Sequence, residues 1–139
     1  MHFPIASWTL GTAIDLMAWG GVGLHLPGIE SAPLSRFLLW TGIVIAVPAA
    51  VAGVADYLAL PRKVQDGPTI NRHMIWMGCS WALYLGAGIV REQGSSFDSI
   101  PAWWATLAEL AGFVCLIFGG RAAAIVVFEE LADSRSKEP

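Results

Sequence analysis

Charged residues are scarce in this chain, and its basic residues form no tract. Asp, Glu, Lys and Arg together make up 14% of the 139 residues, whereas a typical soluble domain has about 25%. The eight lysines and arginines are outnumbered by eleven acidic residues, which leaves a formal net charge of −3. Since nucleic-acid binders carry clustered basic residues, this composition argues against a nucleic acid as partner.

Cysteine is also rare. The two cysteines, Cys79 and Cys115, both lie inside apolar stretches. Two cysteines cannot build the disulfide framework of a small secreted domain. We expect both to be reduced thiols that pack like small hydrophobic side chains.

Apolar side chains dominate instead. Hydrophobic residues make up 55% of the sequence, and the mean hydropathy is +0.59. A soluble domain of this length could not hide so much apolar surface, because small domains leave a large share of their chain exposed. The composition therefore predicts an integral membrane protein with a single domain.

Four apolar stretches follow one another along the chain, separated by breaks rich in proline and glycine. They cover residues 4–25, 36–58, 73–90 and 101–128. A helix needs about 20 residues to cross the hydrocarbon core of a bilayer, so each stretch is interpreted as one span. We predict an all-α, antiparallel four-helix membrane domain over residues 1–131, followed by a polar tail over 132–139.

Basic residues are unevenly divided between the two sides of the membrane. Four spans put both termini on one side, and five basic residues flank the spans there: Arg62, Lys63, Arg72, Arg135 and Lys137. The other side has only Arg36 and Arg91. The positive-inside rule therefore predicts that both termini are cytoplasmic.

Polar residues inside the spans need a reason, because a charge at the bilayer centre costs about 2.5–3.5 kcal/mol on insertion scales. Near the side of the termini, the four spans bring imidazoles and carboxylates to one layer: His2, Asp56, His73, Glu129 and Glu130. The guanidinium of Arg121 lies about two turns deeper. This convergence follows from the topology alone. We take this layer as the first candidate site.

A second polar layer lies a little over halfway across the bilayer. Asp15 and Glu109 fall at a similar depth there, together with Tyr84, and His25 and Arg91 lie on the same side. One interpretation is a proton path or an ion site. The other is a satisfied structural pair, in which a protonated carboxyl is hydrogen-bonded to the second carboxyl, to Tyr84 or to Thr106.

Several short motifs occur in a distinctive order: His-Phe-Pro-Ile-Ala at His2–Ala6, then Asp15, Gly53–Asp56, Arg72-His73 and Gly119-Gly120. In order and spacing they resemble an uncharacterised family of small bacterial four-helix membrane proteins, classed only as a domain of unknown function. Some members are fused to a Rieske iron–sulfur domain. The resemblance implies a bacterial inner membrane and a redox context. Family members usually end the fourth span with Tyr and His followed by Gly, whereas this chain has Val127–Glu130.

A b-type haem electron-transfer subunit is the first functional hypothesis. Ligation of haem by two histidines needs imidazoles on different helices at matched depth, a condition that His2 and His73 meet. Arg72 and Arg121 are placed to bind the propionates. Trp76 is a candidate wall for the ring.

Two alternatives stay open. A non-haem metal would use His2, His73, Asp56 and Glu129 as ligands, and a quinone headgroup would hydrogen-bond to His73 or Arg72. The other alternative is that the chain is a non-catalytic membrane anchor or structural subunit of a larger complex. Its partners are then the bilayer, other membrane or redox subunits, or a second copy. Whether the chain is an enzyme stays open.

Overall fold

The computed structural model describes residues 2–22, 30–60, 67–93 and 103–135, except for the side chains of residue 2 and of 126–135. Four helices account for nearly all of these residues: α1 (His2–Trp19), α2 (Ser31–Ala59), α3 (Pro68–Gln93) and α4 (Trp103–Arg135). Within the described ranges, the prediction of an all-α protein with four helices is confirmed.

Three of the helices are long and apolar enough to cross a membrane: Ser31–Ala59, Pro68–Gln93 and Trp103–Ile125. Many of their apolar side chains face outward, among them Val51 and Leu58 on α2 and Ile117 on α4. Such exposure suits contact with lipid tails. Of the described helices, α1 is the shortest, with 18 residues, and it carries the buried Asp15.

The helices extend beyond the predicted apolar stretches. α2 begins at Ser31, α3 begins at Pro68, and α4 continues to Arg135, inside the predicted polar tail. Hydropathy locates the segment inside the bilayer, but the backbone hydrogen-bond ladder continues through polar residues at the interface. Proline suits the first turn of α3, where no intrahelical donor is lost.

The end of α1 has a local cause. Gly21 adopts a positive φ of 75°, which glycine tolerates and which reverses the chain direction. The amide of Val22 donates to the Met17 carbonyl at 2.8 Å, and the amide of Gly21 donates to Ala18 at 3.1 Å. This pair of hydrogen bonds is a Schellman motif, which ends the helix before the predicted boundary at residue 25. Residues 23–29 lie outside the described part of the chain.

The four helices pack as two pairs, α1 with α2 and α3 with α4, and we call each pair of consecutive helices a hairpin. In both pairs a serine side chain donates to a backbone carbonyl of the neighbouring helix. Ser7 Oγ donates to the Leu38 carbonyl at 2.8 Å, and Ser80 Oγ donates to the Gly112 carbonyl at 3.0 Å. Hydroxyl groups of this kind stabilise helix pairs in membranes, where apolar burial alone does not distinguish a neighbouring helix from lipid.

A tryptophan–tyrosine stack joins the two hairpins in the centre of the molecule. Trp8 of α1 lies on Tyr84 of α3, with the ring centroids 4.7 Å apart and the planes 9° from parallel. Each ring also packs against a glycine. A Cβ on Gly42 would lie 2.4 Å from Trp8 Nε1, and one on Gly112 would lie 2.9 Å from the Tyr84 ring. The absence of side chains at these two glycines makes room for the stack.

We expect Gly42→Ala to destabilise the protein by about 1–3 kcal/mol, because the added methyl group overpacks a tryptophan that cannot move. Thermal unfolding in detergent measures the effect. Gly86→Ala is the matched control, since no heavy atom lies within 4 Å of the added Cβ and alanine favours helix over glycine by about 1 kcal/mol. Equal stability changes for the two variants would contradict the close approach at Gly42.

Candidate functional site

One arginine of α3 lies between a carboxylate of α1 and a carboxylate of α4. Arg91 Nη2 forms an ion pair with Asp15 Oδ2 and a second ion pair, at 2.7 Å, with Glu109 Oε1. The three side chains are 6%, 2% and 1% exposed for Arg91, Asp15 and Glu109. We refer to Asp15, Arg91 and Glu109 as the buried ion cluster.

Hydroxyl groups of α1, α2 and α3 lie beside the buried ion cluster. Arg91 Nη1 donates to Ser35 Oγ of α2 at 3.3 Å. Thr12 Oγ1 and the Tyr84 hydroxyl, both buried, lie 3.3 Å apart. Side chains from all four helices therefore meet in this layer, and the contacts connect one hairpin to the other.

A second, more exposed ion pair also connects the hairpins. Arg36 of α2 binds Glu92 of α3 through two nitrogens, with Nε donating to Oε1 at 2.7 Å. Trp40 Nε1 donates to the same carboxylate oxygen at 3.0 Å. This pair is more exposed than the buried ion cluster. Breaking it should therefore lower the free energy of unfolding less than breaking a buried pair does.

The sequence placed Asp15, Tyr84 and Glu109 at one depth, and the structure brings Asp15 and Glu109 to the same guanidinium. Arg91 was interpreted as a flanking base, because long basic side chains at span ends usually reach the interface. Tyr84, Gly88 and Arg91 share one face of α3 by their helical spacing. This spacing indicates that Arg91 faces inward together with the other two residues.

At the opposite end of the molecule, α1, α2 and α3 border an apolar cleft of about 480 Å³. Ligand pockets typically measure roughly 300–1,000 Å³, so the cleft has the size of a small-molecule site. The lining comes from the first half of α1, the second half of α2 and the first half of α3. It includes Ile5, Trp8, Ala49, Gly53, Met77 and Trp81. Alanine and glycine on α2 provide much of the space.

The polar side chains of the cleft cluster near one end. Asp56 and Tyr57 lie in the last turn of α2, and His73 lies in the second turn of α3. His73 Nδ1 is 2.8 Å from the Gly119 carbonyl oxygen of α4. A carbonyl only accepts hydrogen bonds, so Nδ1 carries the proton, and in the neutral ring the lone pair is on Nε2. His73 is thus held in one orientation with one ring nitrogen available to a ligand.

The other predicted site residues are dispersed. Trp76 stacks on Phe118 of α4, with centroids 5.1 Å apart, and is not part of the cleft lining. Arg72 and Arg121 are exposed. The side chains of His2 and of Glu129 lie outside the described residues, although His2 starts α1, which lines the cleft.

Among the described side chains, no group of three or more His, Cys, Asp or Glu residues is placed to hold a metal ion. Asp56 and His73 line the same cleft. The remaining predicted ligands, His2 and Glu129, are those whose side chains are not described. A non-haem metal site built on these four residues stays a prediction.

No family model matches the sequence, and the searches of curated proteins and of solved structures return no match either. The resemblance carried by the His-Phe-Pro-Ile-Ala and Gly-Val-Ala-Asp motifs therefore stays a prediction.

We expect Arg91→Met to destabilise the protein by about 3–5 kcal/mol, because removing one partner leaves buried carboxyl groups without compensation. Methionine keeps much of the side-chain length but removes the charge. Unfolding in detergent with increasing denaturant measures the loss.

Arg36→Met is the matched control for this variant. Arg36 also forms an ion pair between the two hairpins, with Glu92, but at a more exposed position. We expect a much smaller loss, since exposed ion pairs stabilise little. A loss of stability as large as that of Arg91→Met would show that burial does not determine how much the ion pairs contribute to stability.

Proposed function

We propose that this chain is a small multi-pass membrane protein of redox function that binds b-type haem in the cleft through His73. One observation carries the proposal: a histidine with its Nδ1 fixed to the Gly119 carbonyl lies in the wall of an apolar cleft of ligand size. Metal-ligating histidines are typically oriented by such a hydrogen bond from the other ring nitrogen, which also makes the ligating nitrogen more basic.

The residues around the cleft fit a flat apolar group with a charged edge. Trp8 and Trp81 supply aromatic walls, and the small residues of α2 leave space between the hairpins. Arg72 lies one residue before His73 and is exposed, where it would bind a propionate. His2 begins the helix on the other side of the cleft and is the proposed second axial ligand. A bound haem would supply a one-electron redox centre.

We further propose an antiparallel bundle in a bacterial inner membrane, with both termini in the cytoplasm. Contacts within each hairpin support the antiparallel arrangement. Ser7 meets Leu38 whereas Gly11 approaches Ser35, and His73 meets Gly119 whereas Ser80 meets Gly112. The excess of basic residues on the side of the termini supports the orientation. The redox partner would be another membrane subunit or a second copy of this chain.

A quinone is the second candidate ligand, and the order of polarity along the cleft favours it. Asp56, Tyr57 and His73 form the polar end, whereas Met77 and Trp81 lie deeper along α3. A ligand with a polar headgroup and an apolar tail matches this order. The hydroxyl of the reduced headgroup would donate to His73 Nε2, whose lone pair accepts while Nδ1 carries the proton.

Absorption spectra of the purified protein, air-oxidised and dithionite-reduced, test the haem proposal. We expect a Soret band that shifts on reduction, with sharp α and β bands, in protein expressed with ample haem. His73→Ala should lose these bands, because it removes the only described imidazole of the cleft. His25→Ala replaces a histidine that is not a proposed ligand, and this variant should keep the bands.

A featureless visible spectrum would overturn haem binding. Extraction of the same sample with organic solvent then distinguishes the remaining alternatives. Quinone in the extract of the native protein, but not of His73→Ala, would support the second candidate. Neither cofactor, together with co-purifying membrane subunits, would support a purely structural role.

A further inference from the structure

We propose that the buried ion cluster is a binding site for one proton, held by the carboxyl group of Glu109. The site lies apart from the cleft and does not depend on what the cleft binds. It is formed where α1, α3 and α4 meet, and its ligand is the proton itself.

The charge count of the cluster leads to this inference. Two carboxyl groups, Asp15 and Glu109, face one guanidinium, Arg91. With all three ionised the site would carry an uncompensated negative charge, and a buried charge without a partner is strongly disfavoured in a low-dielectric interior. One bound proton makes the cluster neutral, with one ion pair and one neutral carboxyl.

Among the described residues, no other cation reaches the cluster to change this count. On α3 the neighbouring titratable group is Tyr84, which is close enough to Glu109 to interact electrostatically. α2 contributes the uncharged Ser35 hydroxyl. The next charged groups, Arg36 and Glu92, compensate each other in the more exposed pair. In the described part of the chain the balance therefore rests on Asp15, Arg91 and Glu109.

The geometry of Glu109 places the proton. Its Oε1 is 2.7 Å from Arg91 Nη2, whereas Oε2 is buried and has no hydrogen-bond partner among the described residues. An ionised carboxylate oxygen would lack a guanidinium donor at this position, where the Thr12 hydroxyl is the neighbouring polar group of the carboxyl. A protonated Oε2 carries no charge, so the missing donor costs far less.

A proton fits this site better than a metal cation does. Metal ions such as Ca²⁺ or Mg²⁺ take about six or more oxygen ligands in proteins. Here the guanidinium of Arg91 already lies between the two carboxyl groups, where it fills the space and repels a second cation. A proton on one oxygen needs neither added space nor added ligands.

Infrared spectroscopy of the full chain in lipid nanodiscs tests the site directly. We expect a C=O stretching band of a protonated carboxyl group at neutral pH, shifted in deuterated buffer. The band should vanish in both Glu109→Gln and Asp15→Asn. In each variant the one remaining carboxylate forms a neutral ion pair with Arg91 and needs no proton. Glu92→Gln is the control and should keep the band, because that carboxylate belongs to the exposed pair.

Thermal stability gives a second, independent readout. Each single variant keeps a compensated Arg91, so we expect Tm to stay close to that of the native protein. Asp15→Asn/Glu109→Gln leaves the guanidinium buried and uncompensated, so we expect Tm to fall by about 10 °C or more. The loss in the double variant should therefore far exceed the sum of the single losses.

Three results would overturn the proposal. Absence of the carboxyl band in the native protein would mean that both carboxyl groups are ionised. Persistence of the band in Glu109→Gln and Asp15→Asn would mean that the proton lies elsewhere. Failure of both single variants to fold would mean that the cluster needs both carboxylates charged.

Discussion

The ion pair between Arg91 and Asp15 connects the two helical hairpins, and the rest of the structure is arranged around it. Arg91 is on α3, and it binds Asp15 of α1 and Glu109 of α4 with all three side chains almost fully buried. Inside a membrane the hairpins gain little from apolar contact, because lipid tails offer equivalent surroundings. Charged groups differ from apolar ones in this respect, since lipid cannot compensate them. Loss of the Arg91 guanidinium therefore destabilises the folded protein by several kcal/mol, on the order of 3–5.

This connection at one end explains the cleft at the other. The hairpins meet through the buried ion cluster, the Arg36–Glu92 pair and the stack of Trp8 on Tyr84. Past the stack, α2 presents alanine and glycine to α3, and the helices do not fill the space between them. His73 enters this space with its orientation fixed by a carbonyl of its own hairpin. A rigid imidazole in an apolar cleft between two tied hairpins is a suitable arrangement for a flat redox cofactor.

Hydropathy and helical rise were sufficient to predict the all-helical fold and to place Asp15 and Glu109 at one depth. The role of Arg91 was not predicted, because a basic residue at the end of an apolar stretch is usually assigned to the interface. Whether it turns inward depends on acidic partners far away in sequence. The cleft was not predicted either, since a cavity is a deficit of side-chain volume between helices and has no local pattern. Trp76, the predicted neighbour of a haem ring, stacks on Phe118 of α4, and its part in a haem site stays a prediction.

We infer that Arg91 holds the hairpins together and thereby sets the width of the cleft. Electron–electron double resonance between spin labels at Val51 of α2 and Ile75 of α3 measures that width, in a chain with Cys79 and Cys115 replaced. Both labelled positions are exposed, at 65% and 59%, so the labels themselves should not disturb the packing. We predict one narrow distance distribution in the chain that keeps Arg91 and a broader one, extending to longer distances, in Arg91→Met. Identical distributions would contradict the claim.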